Sequence, residues 1–327
     1  LKKKKERGWA TNVDDDFKKM INSHEEEKAK AESKKSEQKP PQSDKIVKVK
    51  FEAENFAVNQ YGKPKVNSLK NIRIAIENDN ILKNQFVFNS FTQEIEIRTP
   101  FKLKGVEIEN DGLKEVYITA ILEHFEEKYD VLFDSRLLVN VINKISYENK
   151  YNPVQDFMED CYKNWDKVKR ARSLFPDYLG AKESDLTERM TKLFFVGAVS
   201  KVYHPYDKFD FVLDLVGGQG SGKTTFLTKM GQGWYTDSMK NFDDKDQLVM
   251  MLRALIVNDD EMAISNKIPF ADLKKFITQT VLSFRAPYGT KVENYAKNFV
   301  IARTTNHEEY QKDRTGARRF LPVHCSK

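Results

Sequence analysis

The chain has 327 residues, enough for two domains and a sizeable core, and its 55 Lys and Arg against 49 Asp and Glu leave a net charge of +6, a mild lean towards nucleic acid. Its two cysteines, Cys161 and Cys325, lie far apart, which excludes a disulfide framework or a cysteine metal site, and its five histidines show no ligand spacing. No apolar run nears the roughly 18 residues of a membrane span, and the basic start lacks the apolar stretch of a signal peptide, so a soluble intracellular protein with no membrane partner is expected. The chain begins at Leu1 rather than Met, and is read as a fragment that is open to truncation at its carboxyl end as well.

Residues 1–45 are dominated by Lys, Glu, Ser, Gln and Pro, with Lys2 to Lys5 and the Pro40-Pro41 pair, and they read as a charged, disordered tether. Residues 46–200 read as a mainly helical domain with a small β element. Ser68 caps a helix that places Leu69, Ile72, Ala75 and Ile76 on one face and ends near Asn78. Phe86 to Asn89 and Gln93 to Arg98 read as an antiparallel pair. Helices are then expected over Asp111 to Lys128, Ser135 to Tyr147, Pro153 to Asn164 and Ser184 to Val202. Their apolar stripes read as core, and the region is assigned to substrate guidance or assembly. Asn164 to Arg170 combines Trp165 with three cations, which is read first as a half-buried Trp beside a solvated charged face and second as a nucleic-acid surface.

Residues 201–327 read as an α/β domain with a mostly parallel sheet. Phe211 to Val216 is a short apolar strand, and Gly217-Gly218-Gln219-Gly220-Ser221-Gly222-Lys223-Thr224 fits G-x-x-x-x-G-K-[ST] before a helix that opens around Thr225. In that pattern the glycines let backbone N–H groups surround a phosphate, the Lys223 ammonium reaches the β- and γ-phosphates of ATP, and the Thr224 hydroxyl ligates Mg²⁺. Arg253 to Glu261 is an apolar strand running into acids. Asp260 is the choice for holding Mg²⁺ with Thr224, Glu261 for polarising the attacking water at the metal, and Asp259 stands as the alternative ligand. A third strand over Asn298 to Arg303 leads to Asn306, whose amide suits a sensor of the γ-phosphate.

Arg318 or Arg319 is the candidate to stabilise charge on a transferring phosphoryl group, acting from a neighbouring subunit, ahead of Lys312 and Arg314. Between the second and third strands, Ser283 to Tyr295 reads as a hairpin whose tip carries Arg285, Tyr288 and Lys291, two cations and an aromatic suited to single-stranded nucleic acid.

The blocks Gly217 to Thr224, Lys274 to Thr278, Phe284 to Gly289, Arg303 to Asn306 and Asp313 to Val323, in this order, resemble the virulence-associated protein E family over about Trp165 to Val323. The resemblance implies an AAA+-like P-loop NTPase domain of the superfamily 3 helicase type. It further implies a ring, expected to be hexameric, that acts on single-stranded DNA or a fork during replication of a phage or mobile element in the bacterial cytoplasm. By position, Gly222, Lys223 and Thr224 become the Walker A contacts, Glu261 the Walker B acid, Asn306 the sensor and Arg318 or Arg319 the finger. The chain departs from the family pattern at Asn258, where an acid is common, and at Leu321, where an aromatic is common. Nothing in the sequence resembles a primase active site, so priming is expected to need another polypeptide, a separate primase or a host replication factor, or a missing segment. The rival readings are an initiator that binds DNA without unwinding it and a nucleotide-switched interaction module.

Overall fold

The computed structural model describes residues 55–285, 291–308 and 318–326, which belong to one unit spanning Ala53–Lys327. The expected tether at 1–45 lies outside the described residues. Helix α1 (Leu69–Glu77) starts where Ser68 accepts the Asn71 N–H, as its sequence predicts. Strands β1 (Phe86–Asn89) and β2 (Glu94–Ile97) pair antiparallel, and a second hairpin, β3 (Phe101–Leu103) with β4 (Val106–Ile108), follows where the sequence reading had no element. Helices α2 (Glu115–Tyr129) and α3 (Ser135–Glu148) come next, then β5 (Lys150–Tyr151) parallel to β1 and α4 (Pro153–Lys163). Asn152 caps α4 and Pro153 sits at its first position, where a missing N–H costs nothing. A short α5 (Leu174–Leu179), unforeseen because Pro176 interrupts the helical pattern, precedes α6 (Asp185–Tyr203).

The chain then builds one five-stranded parallel sheet. Strand β6 (Val212–Gly217) leads through the glycine-rich loop to α7 (Lys223–Gly231), β7 (Tyr235–Thr236), α8 (Lys245–Leu252) and β8 (Ile256–Asp259). A tight turn over Asp260–Met262, α9 (Phe270–Thr278), and the hairpin of β9 (Val281–Phe284) with β10 (Glu293–Ala296) follow. Strands β11 (Val300–Thr305) and β12 (Phe320–Cys325) complete the order β12-β6-β11-β8-β7. A mixed α/β protein with a parallel sheet is therefore what the sequence predicts and what forms.

The sheet strands are nearly continuous apolar runs because both faces are covered. Their alternation sorts the faces. Leu213, Leu215, Ile256, Val300 and Ala302 point into one cluster with Val154, Phe175, Phe194, Ala198, Val202 and Leu227 from α4 to α7. Val212, Val257, Ile301 and Phe320 point the other way, onto Leu248 and Met251 of α8 and Leu273 and Phe276 of α9. The division expected at residue 200 falls inside α6, whose Phe194 and Val202 share their cluster with the β6 residues. Asn298 Nδ2 also donates to Phe91 O at 2.8 Å and to Leu252 O at 3.0 Å, tying the loop after β1 to the sheet. Among the described residues no helix is long and apolar enough to cross a membrane.

Candidate functional site

The site lies at the carboxyl ends of the strands. The loop after β6 turns through Gly220 (φ +82°) and Gly222 (φ +77°), left-handed positions that a side chain would strain. Gly217 is required for a different reason: a Cβ there would sit 2.2 Å from the Cys325 carbonyl oxygen of the neighbouring β12. Gly218, Gln219 and Gly220 are exposed, and Gly222 caps α7, whose first-turn N–H groups have no partner within the helix. That combination of free N–H groups and a positive helix end attracts anions.

Lys223 opens α7 and is only 7% exposed, yet its ammonium is fully engaged. Nζ donates to Gly217 O at 2.7 Å, Gly218 O at 2.8 Å, Ser221 Oγ at 3.1 Å and Asn306 Oδ1 at 3.2 Å. Next to it Thr224 Oγ1 donates to Asp260 Oδ1 at 3.0 Å, while Thr225 is exposed on the helix. The parallel pairing of β6 with β11 brings Asn306, just past the end of β11, beside the loop. Asn306 Nδ2 then donates to Glu261 Oε1 at 3.1 Å. Five of the residues singled out from sequence, Lys223, Thr224, Asp260, Glu261 and Asn306, thus meet in one hydrogen-bonded group drawn from three adjacent strands.

The acids after β8 separate by geometry. Asp259 is 1% exposed and turned into its own loop: Oδ1 accepts the Ile264 N–H at 2.9 Å and Oδ2 accepts the N–H and hydroxyl of Ser265. Its oxygens are occupied in closing the turn. Asp260 instead faces Thr224, with Oδ1 also accepting from Thr304 Oγ1 at 2.7 Å and Asn258 Nδ2 at 3.2 Å. Glu261 has φ +53°, a left-handed conformation that costs a non-glycine residue about 1–3 kcal/mol when the surroundings impose it. The Glu261 N–H donates to Thr304 Oγ1 at 2.9 Å, so that hydroxyl fixes both acids at once.

Three contributors were missed from sequence. Thr304 is the hydroxyl just described, and its signal lay in the polar run Thr304-Thr305-Asn306 at the end of an apolar strand. Buried Asn258 donates through Nδ2 to Tyr235 Oη at 3.1 Å as well as to Asp260. Burial pushes the Tyr235 hydroxyl up to about 12, so it stays protonated and donates to Asp237 at 3.1 Å. Beneath the site, Asp214 of β6 and Arg303 of β11 are direct neighbours in register and form a bidentate pair, Nε to Oδ1 at 2.8 Å and Nη2 to Oδ2 at 2.6 Å, with Phe320 stacked 4.2 Å from the guanidinium.

Other expected residues lie elsewhere. Phe320 pairs with Val212 and Cys325 with Gly217, so Arg318 and Arg319 sit at the start of β6 while the glycine-rich loop follows its end. Five strand steps at about 3.3 Å separate Phe320 from the level of Gly217, and the two arginines precede Phe320, so they lie roughly 17 Å or more from their own loop. Arg319 Nε lies 3.8 Å from Asp210, and Arg318 is exposed. Arg285 and Lys291 are exposed at the tip side of the β9–β10 hairpin, whose two strands are joined by the Phe284–Tyr295 stack at 4.7 Å. Tyr288, Lys312 and Arg314 lie outside the described residues. The Trp165 ring is half-buried, with Nε1 donating to Val168 O at 3.1 Å.

No curated protein matches the chain. Among solved structures, the A form apo structure of the NrS-1 C terminal region resembles it with a TM-score of 0.41 at 13% identity. An apo structure of the same NrS-1 region gives a TM-score of 0.37 at 14% identity. Each covers 74% of this chain and 58% of the NrS-1 chain, so this chain spans less than two thirds of those chains. The Virulence-associated protein E-like domain matches residues 158–327, which include the whole hydrogen-bonded group from Lys223 to Asn306, and the chain belongs to that family.

Proposed function

We propose that the chain is a P-loop ATPase of the AAA+-like, superfamily 3 helicase type, the motor of a phage or mobile-element replication protein that works as a ring on single-stranded DNA. One observation carries the reading: the continuous set Thr224–Asp260–Thr304–Glu261–Asn306–Lys223 at the carboxyl edge of a parallel sheet. Triphosphate oxygens suit the free N–H groups of the loop and compete for the Lys223 protons given to Gly217 and Gly218. Thr224 Oγ1 and Asp260, a hydroxyl and a carboxylate 3.0 Å apart, fit a hard cation such as Mg²⁺ and would be the residues that hold it. Bound there, Mg²⁺ supplies charge neutralisation of the phosphates. Asn306, which touches both Lys223 and Glu261, is placed to relate the terminal phosphate to the acid that orients water. Asp259, closed on its own turn, takes no part.

The separation of Arg318 and Arg319 from their own loop supports a finger supplied by the next subunit of a ring. The Arg285 and Lys291 hairpin is the proposed contact with DNA. A primase or host replication factor is the proposed partner for priming. The test is ATP hydrolysis with and without single-stranded DNA across a salt series. Stimulation that fades with salt is expected, since phosphate contacts release counterions. Hydrolysis indifferent to DNA at every salt concentration would contradict the DNA-coupled motor.

A further inference from the structure

One large aromatic beside the glycine-rich loop takes no part in the set above. Tyr178 is 66% exposed on α5, although its neighbours Phe175 and Leu179 are fully buried. Two separate contacts hold its segment against the loop's flanks. On one side the Tyr178 ring lies 6.3 Å from that of Phe226, in the first turn of α7 and three residues after Lys223. On the other, Ser326 follows β12 and donates through N to Leu179 O at 3.0 Å and through Oγ to Gly180 O at 2.6 Å, one residue beyond the Cys325–Gly217 register pair.

The order of the strands gives the site a direction. Asn306, Asp260 and Glu261 all come from β11 and β8, on one side of β6, whereas β12 and the α5 segment lie on the other. A triphosphate whose terminal phosphate meets Asn306 and Glu261 therefore runs its nucleoside towards β12 and Tyr178. We propose that Tyr178 is the stacking platform for the nucleobase, with the Phe226 ring tilted against its side. This inference rests on reading the Gly217–Thr224 loop as a triphosphate site. An aromatic face serves any base, because each presents a π-surface and stacking reads no ring-edge hydrogen bonds.

The test titrates the full chain with ATP and, separately, with inorganic tripolyphosphate, which has the phosphates and no base. Tyr178→Ala is expected to weaken ATP roughly 5- to 140-fold, the range for loss of one base–aromatic stack, and to leave tripolyphosphate affinity unchanged. Tyr178→Phe is expected to keep ATP affinity. Because the side chain is exposed, neither change disturbs the core. Lys223→Ala is expected to weaken both ligands. If ATP binds wild type and Lys223→Ala weakens it while Tyr178→Ala does not, the platform is refuted and the loop assignment stands. Equal loss of ATP and tripolyphosphate in Tyr178→Ala also refutes the platform. If wild type binds neither ligand, the reading of the loop falls and takes the platform with it.

Discussion

Replacing Thr304 by Val keeps the side-chain shape and removes the hydroxyl at which two arms of the site meet. In the protein Thr304 Oγ1 donates to Asp260 Oδ1 at 2.7 Å and accepts the Glu261 N–H at 2.9 Å, at a position only 2% exposed. A hydrogen bond to a charged group contributes about 1.5–3 kcal/mol, and stranding a buried donor costs about 1–3 kcal/mol. Asp260 keeps Thr224 and Asn258 as donors, which softens the first loss, so the net cost is about 2–4 kcal/mol. At about 2–4 °C per kcal/mol for a domain of this size, the melting temperature falls by roughly 4–16 °C. Activity falls further than stability explains. Glu261 loses the contact that holds its left-handed backbone, and with it the alignment to Asn306. Thermal melting and steady-state ATP turnover check both parts, with Thr304→Ser as the control that restores the hydroxyl. A Val variant that melts and turns over like wild type would refute the coupling of Thr304 to the two acids.

Three further outcomes are expected. Arg303→Met removes the bidentate partner of buried Asp214 and costs about 3–5 kcal/mol in denaturant unfolding, whereas combining it with Asp214→Leu recovers much of that loss; additive losses would contradict the pairing. Burial, reinforced by Lys201 and opposed by Asp210, pushes the Lys297 ammonium down to about 7. The unfolded chain then binds more protons than the folded one between about pH 7 and pH 10, so stability rises with pH across that window, and Lys297→Met flattens the rise in a pH series of unfolding curves. An unchanged slope would count against the buried ammonium. Mixing Lys223→Ala subunits with Arg319→Ala subunits, and separately with Arg318→Ala subunits, restores some turnover if the finger works across subunits; no rescue at any ratio with either arginine would exclude a site in trans.

Much of the site was legible because local chemistry dictates it. The spacing of Gly217, Gly222, Lys223 and Thr224 fixes a loop whose glycines take left-handed angles or close contacts. The sequence favours Asp260 and leaves Asp259 as the alternative; what it cannot show is the turn in which Ile264 and Ser265 claim the Asp259 carboxylate while Asp260 faces Thr224. Strand β12 was missed because Pro322 demotes a strand. It is tolerated here because β12 is the sheet edge, where a missing N–H need not break a ladder on both sides. Thr304 and Asn258 act through partners more than 40 and about 20 residues away in sequence, Asp260 and Tyr235 respectively, and periodicity carries no trace of such pairs. The Asp214–Arg303 pair did leave a trace: one charge inside each of two apolar runs, opposite in sign and matched in strand position.

The most direct measurement is steady-state ATP hydrolysis by wild type and by Lys223→Ala with Mg²⁺ present. The account predicts turnover in wild type and none above background in the variant, with unaltered folding by circular dichroism. Equal turnover in the two proteins, or none in wild type with Mg²⁺ and DNA supplied, would contradict it.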